Sequence, residues 1–115
     1  MTAPEIMAAL ASLRFDLADE ATCQRQMAQA LAAAGIDHQR EVVIGPRERI
    51  DFLVGGIGIE VKLRGAKRAI FEQCLRYCRC EEVKALILAS NKTMGLPAEL
   101  EGKPVFFFHL GRSWL

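Results

Sequence analysis

The sequence predicts an α/β fold in which a central mixed β-sheet is flanked by helices, in the order α-β-β-β-α-β-β. Three observations predict it. Apolar residues recur at helical spacing on either side of a segment rich in β-branched and aliphatic residues. Within that segment, Gly55-Gly56 separates two strand-like runs by two residues, which indicates a hairpin. Residues 83–89 form a nearly continuous apolar run, which is typical of a strand covered on both faces.

The predicted helices follow from apolar periodicity and from residues that favour helix ends. A short helix is expected over residues 4–13 and a longer one over residues 17–34. Asp16 is a suitable N-cap for the longer helix and Gly35 a suitable C-terminal stop. The third helix is expected over residues 66–80, directly after the hairpin.

Five segments are predicted to form strands: 39–44, 49–54, 57–63, 83–89 and 104–110. The first ends at the turn signal Gly45-Pro46. Because Pro104 has no backbone N–H, the last strand is expected at an edge of the sheet.

Composition limits the class of protein. The chain has 115 residues, of which 51% are hydrophobic and 25% charged, so we expect one folded domain spanning residues 1–115. No apolar run has the length of a membrane span and no secretory signal is visible, so we expect no membrane association and a cytoplasmic location. The four cysteines are expected to be reduced thiols: Cys23, Cys74, Cys78 and Cys80.

Charge is unevenly distributed along the chain, although the net charge is only +1. Residues 1–37 carry five acids and two bases, whereas residues 62–79 carry six bases and one acid. A local basic patch suits a polyanion, since phosphate contacts act over short, screened distances. A solvated helix face is the alternative interpretation of the same residues.

The hairpin brings charged residues together. A two-residue loop places Asp51 directly opposite Glu60, so two carboxylates would lie side by side with Cβ atoms about 5 Å apart. Alternation along the strand places Glu60 and Lys62 on one face. Glu20 heads the apolar stripe of the preceding helix, so we expect it to point toward the same face of the sheet.

Three acids and one lysine in a partly buried place are costly unless something compensates the charge. A hard divalent cation, Mg²⁺ or Mn²⁺, is suited to such oxygen ligands. It can polarise a phosphate oxygen and acidify a bound water, while Lys62 orients water or neutralises developing charge. These are the components of phosphodiester hydrolysis. The alternative is an ordinary surface on which Lys62 forms a salt bridge with one of the carboxylates.

Asp51 followed by Glu60-Val61-Lys62 resembles the motif of the PD-(D/E)XK nuclease superfamily, with an acid on one strand and acid-x-lysine on the next. Ile50 stands where proline precedes the aspartate in the family motif. The resemblance covers residues 17–90 and implies a restriction-endonuclease-like fold. It implies that Asp51, Glu60 and Glu20, the last matching the first-helix glutamate, are metal ligands for Mg²⁺ or Mn²⁺ and catalytic together with Lys62.

The helix that follows resembles the Q-x-x-x-Y motif of RecB-like members of the superfamily. The resemblance implies that Gln73 and Tyr77 organise the site and contact DNA. Their i, i+4 spacing places them on one helix face. The neighbouring bases are expected to bind DNA phosphates: Arg64, Lys67, Arg68 and Arg76.

Several alternatives stay open. One is that the fold has lost activity and serves as a DNA- or protein-binding regulator. The cysteine count resembles that of iron–sulfur RecB-like nucleases, but Cys74 and Cys78 lie on the apolar face of a helix, which favours buried thiols. Residues 91–115 resemble short phage and prophage proteins. Phe106–Phe108 and Trp114 belong to the core or to a dimer surface, so a homodimer also stays open. The form of the nucleic acid is not encoded in a visible motif.

Overall fold

The computed structural model describes residues 1–112, with the backbone alone for Arg112, as an α/β fold with a mixed six-stranded sheet and three α-helices. Trp114 lies outside the described residues. The helices are α1 (Ala3–Leu10), α2 (Glu20–Ala33) and α3 (Lys67–Cys78). The strands are β1 (Gln39–Gly45), β2 (Glu48–Val54), β3 (Ile57–Lys62), β4 (Ala85–Ser90), β5 (Glu99–Leu100) and β6 (Lys103–His109). A 3-10 turn, Leu110–Arg112, follows β6.

The predicted α/β class and mixed sheet are confirmed. The strand order is β1-β2-β3-β4-β6-β5. Antiparallel pairs join β1 to β2 and β2 to β3, whereas β3, β4 and β6 run parallel to one another. The helix α3 connects β3 to β4, as parallel neighbours require a crossover. The carboxyl ends of β3, β4 and β6 therefore lie at one edge of the sheet.

Two predictions about the C-terminal strands were wrong. The order has an additional strand, β5, whose two residues pair with β6 across a turn at Glu101 and Gly102, both with positive φ. A strand of two residues has no periodicity to detect. Because β5 covers its outer side, β6 is not an edge strand. Pro104 is tolerated there because Val105, not Pro104, donates its N–H to Ala98, the residue before β5, and the pairs with β4 begin only at Val105.

Helix ends show which residues cap and which do not. Thr2 and Glu5 form a capping box at the start of α1. The predicted N-cap of α2, Asp16, lies three residues too early: its carboxylate accepts the N–H groups of Ala18 and Asp19, which forms a turn before the helix. Gly35, with φ of 71°, follows the end of α2 as predicted.

The sheet separates two apolar cores. One, here called the α2 core, packs α1 and α2 against β3 through Ile59 and Val61. The other, the α3 core, packs α3 against Leu86 and Leu88. Because Ile87 of β4 belongs to the α2 core, β4 is covered on both faces, as its continuous apolar run predicts.

The strand β2 changes faces at Asp51. Ile50 lies in the α3 core and Phe52 in the α2 core, although residues two apart on a regular strand share a face. The neighbouring strand is irregular at the same place: Glu41, at the position between the Arg40–Phe52 and Val42–Ile50 pairs, has φ of 51°. Such a change of direction rotates Asp51 relative to the flanking residues, as bulges commonly do beside functional sites.

No helix among residues 1–112 combines the length and apolar character needed to cross a lipid bilayer.

We expect Gly58→Ala to lower the free energy of unfolding by about 1–3 kcal/mol, because overpacking a filled core costs that much. A Cβ at residue 58 would lie 2.4 Å from Ile50 Cδ1 and 3.5 Å from Leu86 Cδ1, and both side chains are fully buried. Gly95→Ala is the matched control, since a Cβ there meets nothing within 4 Å. Urea denaturation measures both variants, and equal stabilities would contradict the close packing at Gly58.

Candidate active site

The predicted hairpin forms, but it opens where the charged residues begin. Backbone pairs join Val54 to Ile57, Leu53 to Gly58 and Phe52 to Ile59, in the predicted register. Beyond the last of these pairs, side chains take over the hydrogen bonding between β2 and β3. The cleft that results is the place where the carboxylates of Asp51 and Glu60 lie.

Two carboxylates bridge the opened strands reciprocally. The backbone N–H of Asp51 donates to Glu60 Oε1 at 3.1 Å, and the N–H of Val61 donates to Asp51 Oδ2 at 2.8 Å. Each acid thus accepts a hydrogen bond from the other strand. The predicted side-by-side placement of Asp51 and Glu60 is therefore present, through side-chain bridges rather than through a regular backbone pair.

Lys62 neutralises part of this charge. Its Nζ lies 3.3 Å from Glu60 Oε2, and the two side chains are 23% and 5% exposed. An ammonium so close to a nearly buried carboxylate compensates charge that burial would otherwise make costly. Lys62 nevertheless remains partly open to solvent, so its ammonium can reach a group that approaches from outside.

Glu20 lies at the first residue of α2 and reaches the end of the same strand. Its Oε1 accepts the backbone N–H of Leu63 at 2.9 Å. The predicted approach of Glu20 to the sheet is present in this form, and the contact ties the start of α2 to the segment just after Lys62.

Gln73 and Tyr77 of α3 support the cleft from the side of the α3 core. Gln73 Nε2 donates to the Tyr77 hydroxyl at 2.8 Å, and that hydroxyl donates to the carbonyl of Arg49 at 2.9 Å. Tyr77 is fully buried. It therefore satisfies a carbonyl of β2 next to the point where β2 leaves β3, and it holds β2 in place.

Burial makes the charged forms of both bridging acids unfavourable. Desolvation, with the neighbouring Asp51 carboxylate as the next cause, raises the pKa of Glu60 to about 8, against the opposing effects of Lys62 and of the Asp51 N–H. Desolvation also raises the pKa of Asp51, against the opposing effects of the Val61 N–H and Lys62. Burial raises the pKa of Tyr77 as well, with the charge of Glu60 as the next cause. The cleft thus favours an added positive charge.

The predicted DNA-binding bases differ in their contacts. Arg64 donates to the carbonyl of Ala18 at 3.0 Å. Arg68 lies 3.5 Å from Glu72, with both side chains exposed. Arg76 donates to Glu48 Oε1 at 2.6 Å, which joins α3 to β2. Lys67 is exposed, and no ion pair of it occurs among residues 1–112.

Ser90 was not among the predicted site residues. It lies on β4, pairs with Lys62 of β3 and is fully buried. The sequence signal was a polar Ser-Asn-Lys segment directly after an apolar strand. The backbone groups that receive the carboxylates, such as the N–H of Val61, were also missed, because a backbone group carries no sequence signal.

The four cysteines are free thiols, as predicted. Burial raises the pKa of Cys23 and of Cys74 to about 12, so both remain protonated and unreactive. Within residues 1–112, no group of three or more His, Cys, Asp or Glu side chains is arranged to hold a metal ion.

Comparison of the chain with family models, with curated proteins and with solved structures finds no match.

We expect Tyr77→Phe to lower the free energy of unfolding by about 1–3 kcal/mol, the typical cost of a buried carbonyl left without a donor. The variant keeps the ring in the α3 core and removes the hydroxyl that bonds Arg49 and Gln73. Phe71→Leu, at a partly buried position of the same helix, controls for a change in packing. Thermal denaturation would contradict the role of the hydroxyl if Tyr77→Phe matched wild type.

In EDTA, the stability of the wild-type protein should fall as pH rises from about 4.5 to about 8. Over that interval the folded state holds a proton on Glu60 that the unfolded state has released, so the folded state binds more protons. The slope contributed by one group is at most about 1.4 kcal/mol per pH unit. Glu60→Gln should flatten the dependence, and Glu72→Gln, at an exposed position, should not. Identical pH profiles for wild type and Glu60→Gln would contradict the burial of a protonated acid.

Proposed function

We propose that this chain is a metal-dependent nuclease that hydrolyses phosphodiester bonds of DNA, with an active site of the PD-(D/E)XK type on a restriction-endonuclease-like fold. One observation carries the proposal. The acids Asp51 and Glu60 lie reciprocally bridged where two strands separate, with the Lys62 ammonium 3.3 Å from Glu60. The resemblance of the motif to that superfamily supports it, and the order along the chain of acid, hairpin, acid-x-lysine and helical Q-x-x-x-Y agrees with it.

The residues of the cleft fit Mg²⁺ or Mn²⁺ in their chemistry. Mg²⁺ is commonly bound through one or two carboxylates, with waters and substrate phosphates as the other ligands, so two acids suffice without a complete protein cage. Asp51 and Glu60 would hold the ion. The pKa values of both acids are raised, which means that the cleft disfavours their charged forms. A bound cation would offset this effect. Glu20 is the third acid, and its bond to Leu63 places it at the end of the same strand.

The bound cation would supply Lewis-acid polarisation of a phosphate oxygen and a more acidic water. The chain's own residues position the reacting groups. Lys62 presents an ammonium to the phosphoryl oxygens, where it stabilises the negative charge that develops during displacement. Tyr77 fixes β2 through Arg49, and Gln73 orients the Tyr77 hydroxyl. Tyr77 positions the Asp51 segment rather than meets the substrate, because it is fully buried. Gln73, which is only partly buried, supports it through the hydroxyl.

The approach of DNA is supported by the unequal charge along the chain. The helix α3, which carries Lys67, packs on the face of the sheet that Lys62 shares with Leu88. Among the four predicted contacts, Lys67 alone has neither an ion pair nor a side-chain hydrogen bond within the described residues. A DNA phosphate would replace the weak, solvent-screened pair of Arg68 with Glu72 at little cost. Arg76, tied to Glu48 at 2.6 Å, is better placed to hold α3 against β2.

The direct experiment is a panel of duplex, single-stranded, nicked, flap and junction DNAs incubated with Mg²⁺, Mn²⁺ or EDTA. We expect cleavage of at least one form with either cation and none in EDTA. An RNA of matched sequence distinguishes the nucleic acid. Binding without cleavage under every condition would favour the alternative of an inactive DNA-binding regulator, and neither binding nor cleavage would favour a protein-binding one.

We expect Asp51→Asn to abolish cleavage while the protein stays folded, because the amide oxygen can still accept the Val61 N–H but does not supply the anionic metal ligand.

Lys62→Ala should lower kcat by about 100- to 1,000-fold and leave Mn²⁺ binding intact, since a protonated lysine is not a metal ligand. Isothermal titration and single-turnover cleavage measure the two effects, with Lys84→Ala, an exposed lysine before β4, as control. Full activity in Asp51→Asn would remove the proposed metal site.

A further inference from the structure

Three parallel strands end side by side at the edge of the sheet that carries Lys62. Lys62 on β3 pairs in register with Ser90 on β4, and Ser90 pairs with His109 on β6. At the usual spacing between strands, the row from Lys62 to His109 is about 10 Å long. Crevices at the carboxyl ends of parallel strands are frequent ligand sites in α/β proteins.

The row lies on the face covered by α3. In the same register Glu60 pairs with Leu88, and Leu88 packs in the α3 core. Ser90 is two residues further along β4 and therefore shares that face. The ring of His109 lies edge-on to Phe107, a residue that packs against the α3 core, with 5.9 Å between ring centroids.

This end of the sheet contains polar groups whose bonding is incomplete. Nδ1 of His109 and Oδ1 of Asn91 are buried and have no hydrogen-bond partner within residues 1–112. Such atoms are uncommon in folded proteins, and a bound water, ion or ligand is one way to satisfy them. His109 as a whole is only partly buried, and its Nδ1 has no hydrogen bond to break within residues 1–112.

Lys92 carries a cation two residues after Ser90 in the chain. Its backbone N–H donates to Ser90 Oγ at 3.0 Å, so the fully buried serine fixes the turn that carries Lys92. No ion pair involves Lys92 among the described residues. The bases Arg64 and Arg76, in contrast, already have partners in Ala18 and Glu48.

We propose that Lys92 and His109 form a second phosphate subsite, which binds the phosphodiester group adjacent to the one at Lys62. The nucleic-acid strand then continues from the proposed cleavage site across the carboxyl ends of β4 and β6. Lys92 supplies a cation and His109 a ring N–H donor, and phosphate oxygens accept from both. The inference rests on the proposed function in one respect, since Lys62 marks the position of the reacting phosphate.

The test compares two short ligands in EDTA by NMR titration of the full chain. One is a dinucleotide with one phosphodiester group, and the other is a trinucleotide with two. For wild type, we expect the trinucleotide to bind about tenfold more tightly than the dinucleotide. A second phosphate without a subsite of its own would give only the statistical gain of about twofold. The amide signals of Lys92 and His109 should shift with the trinucleotide and much less with the dinucleotide.

Variants assign that gain to the subsite. Lys92→Ala and His109→Asn should each reduce it to about threefold or less, whereas Lys92→Arg should retain it. Lys84→Ala is the matched control, because this exposed lysine precedes the opposite end of the same strand. The other amide signals of each variant should match those of wild type, which verifies that the variant is folded.

Two outcomes overturn the inference: a wild-type gain no greater than twofold, or a gain that Lys92→Ala and His109→Asn leave unchanged. Neither depends on cleavage. A wild type that shows the tenfold gain but cleaves no nucleic acid with Mg²⁺ or Mn²⁺ would retain the subsite and contradict the proposed function. A wild type that cleaves without the gain would contradict the subsite alone.

Discussion

The separation of β2 from β3 at Asp51 is the constraint on which the rest of the site depends. Two antiparallel strands normally satisfy each other's backbone groups, and opening them leaves donors and acceptors unpaired. Here side chains replace the missing partners: Glu60 for the N–H of Asp51, Asp51 for the N–H of Val61, and Tyr77 for the carbonyl of Arg49. Of these groups, the two carboxylates are proposed to act chemically, and Tyr77 is proposed to position them.

This arrangement combines stability and strain in the same residues. Hydrogen bonds from the backbone favour the charged carboxylates, while burial and mutual repulsion disfavour them. Burial and repulsion outweigh the hydrogen bonds, because the pKa of each acid is raised on balance although the Lys62 ammonium lies 3.3 Å from Glu60. A fold selected only for stability would gain from apolar side chains at these positions. The cation proposed to bind here would supply the positive charge that these two acids lack.

Local sequence patterns predicted the features that depend on neighbouring residues, namely the hairpin register and the burial of β4. The Gly55-Gly56 turn set the hairpin register that places Asp51 near Glu60, and the apolar run of β4 indicated burial on both faces. The face switch between Ile50 and Phe52 was not predictable, because strict alternation assigns both to one face. The position of β6 depends on pairing with β5, a two-residue strand that leaves no periodic signal.

The left-handed residue Glu41 has a consequence for how molecules of this protein meet one another. The strand β1 forms one edge of the sheet, and an edge strand offers unpaired backbone groups to other chains. At φ of 51°, Glu41 interrupts the regular row of donors and acceptors, and the charged side chains of Arg40 and Glu41 are exposed there. An incoming strand would lose hydrogen bonds at the interruption and would have to bury charge. The irregularity opposite Asp51 therefore also protects the open edge from fibril-like association.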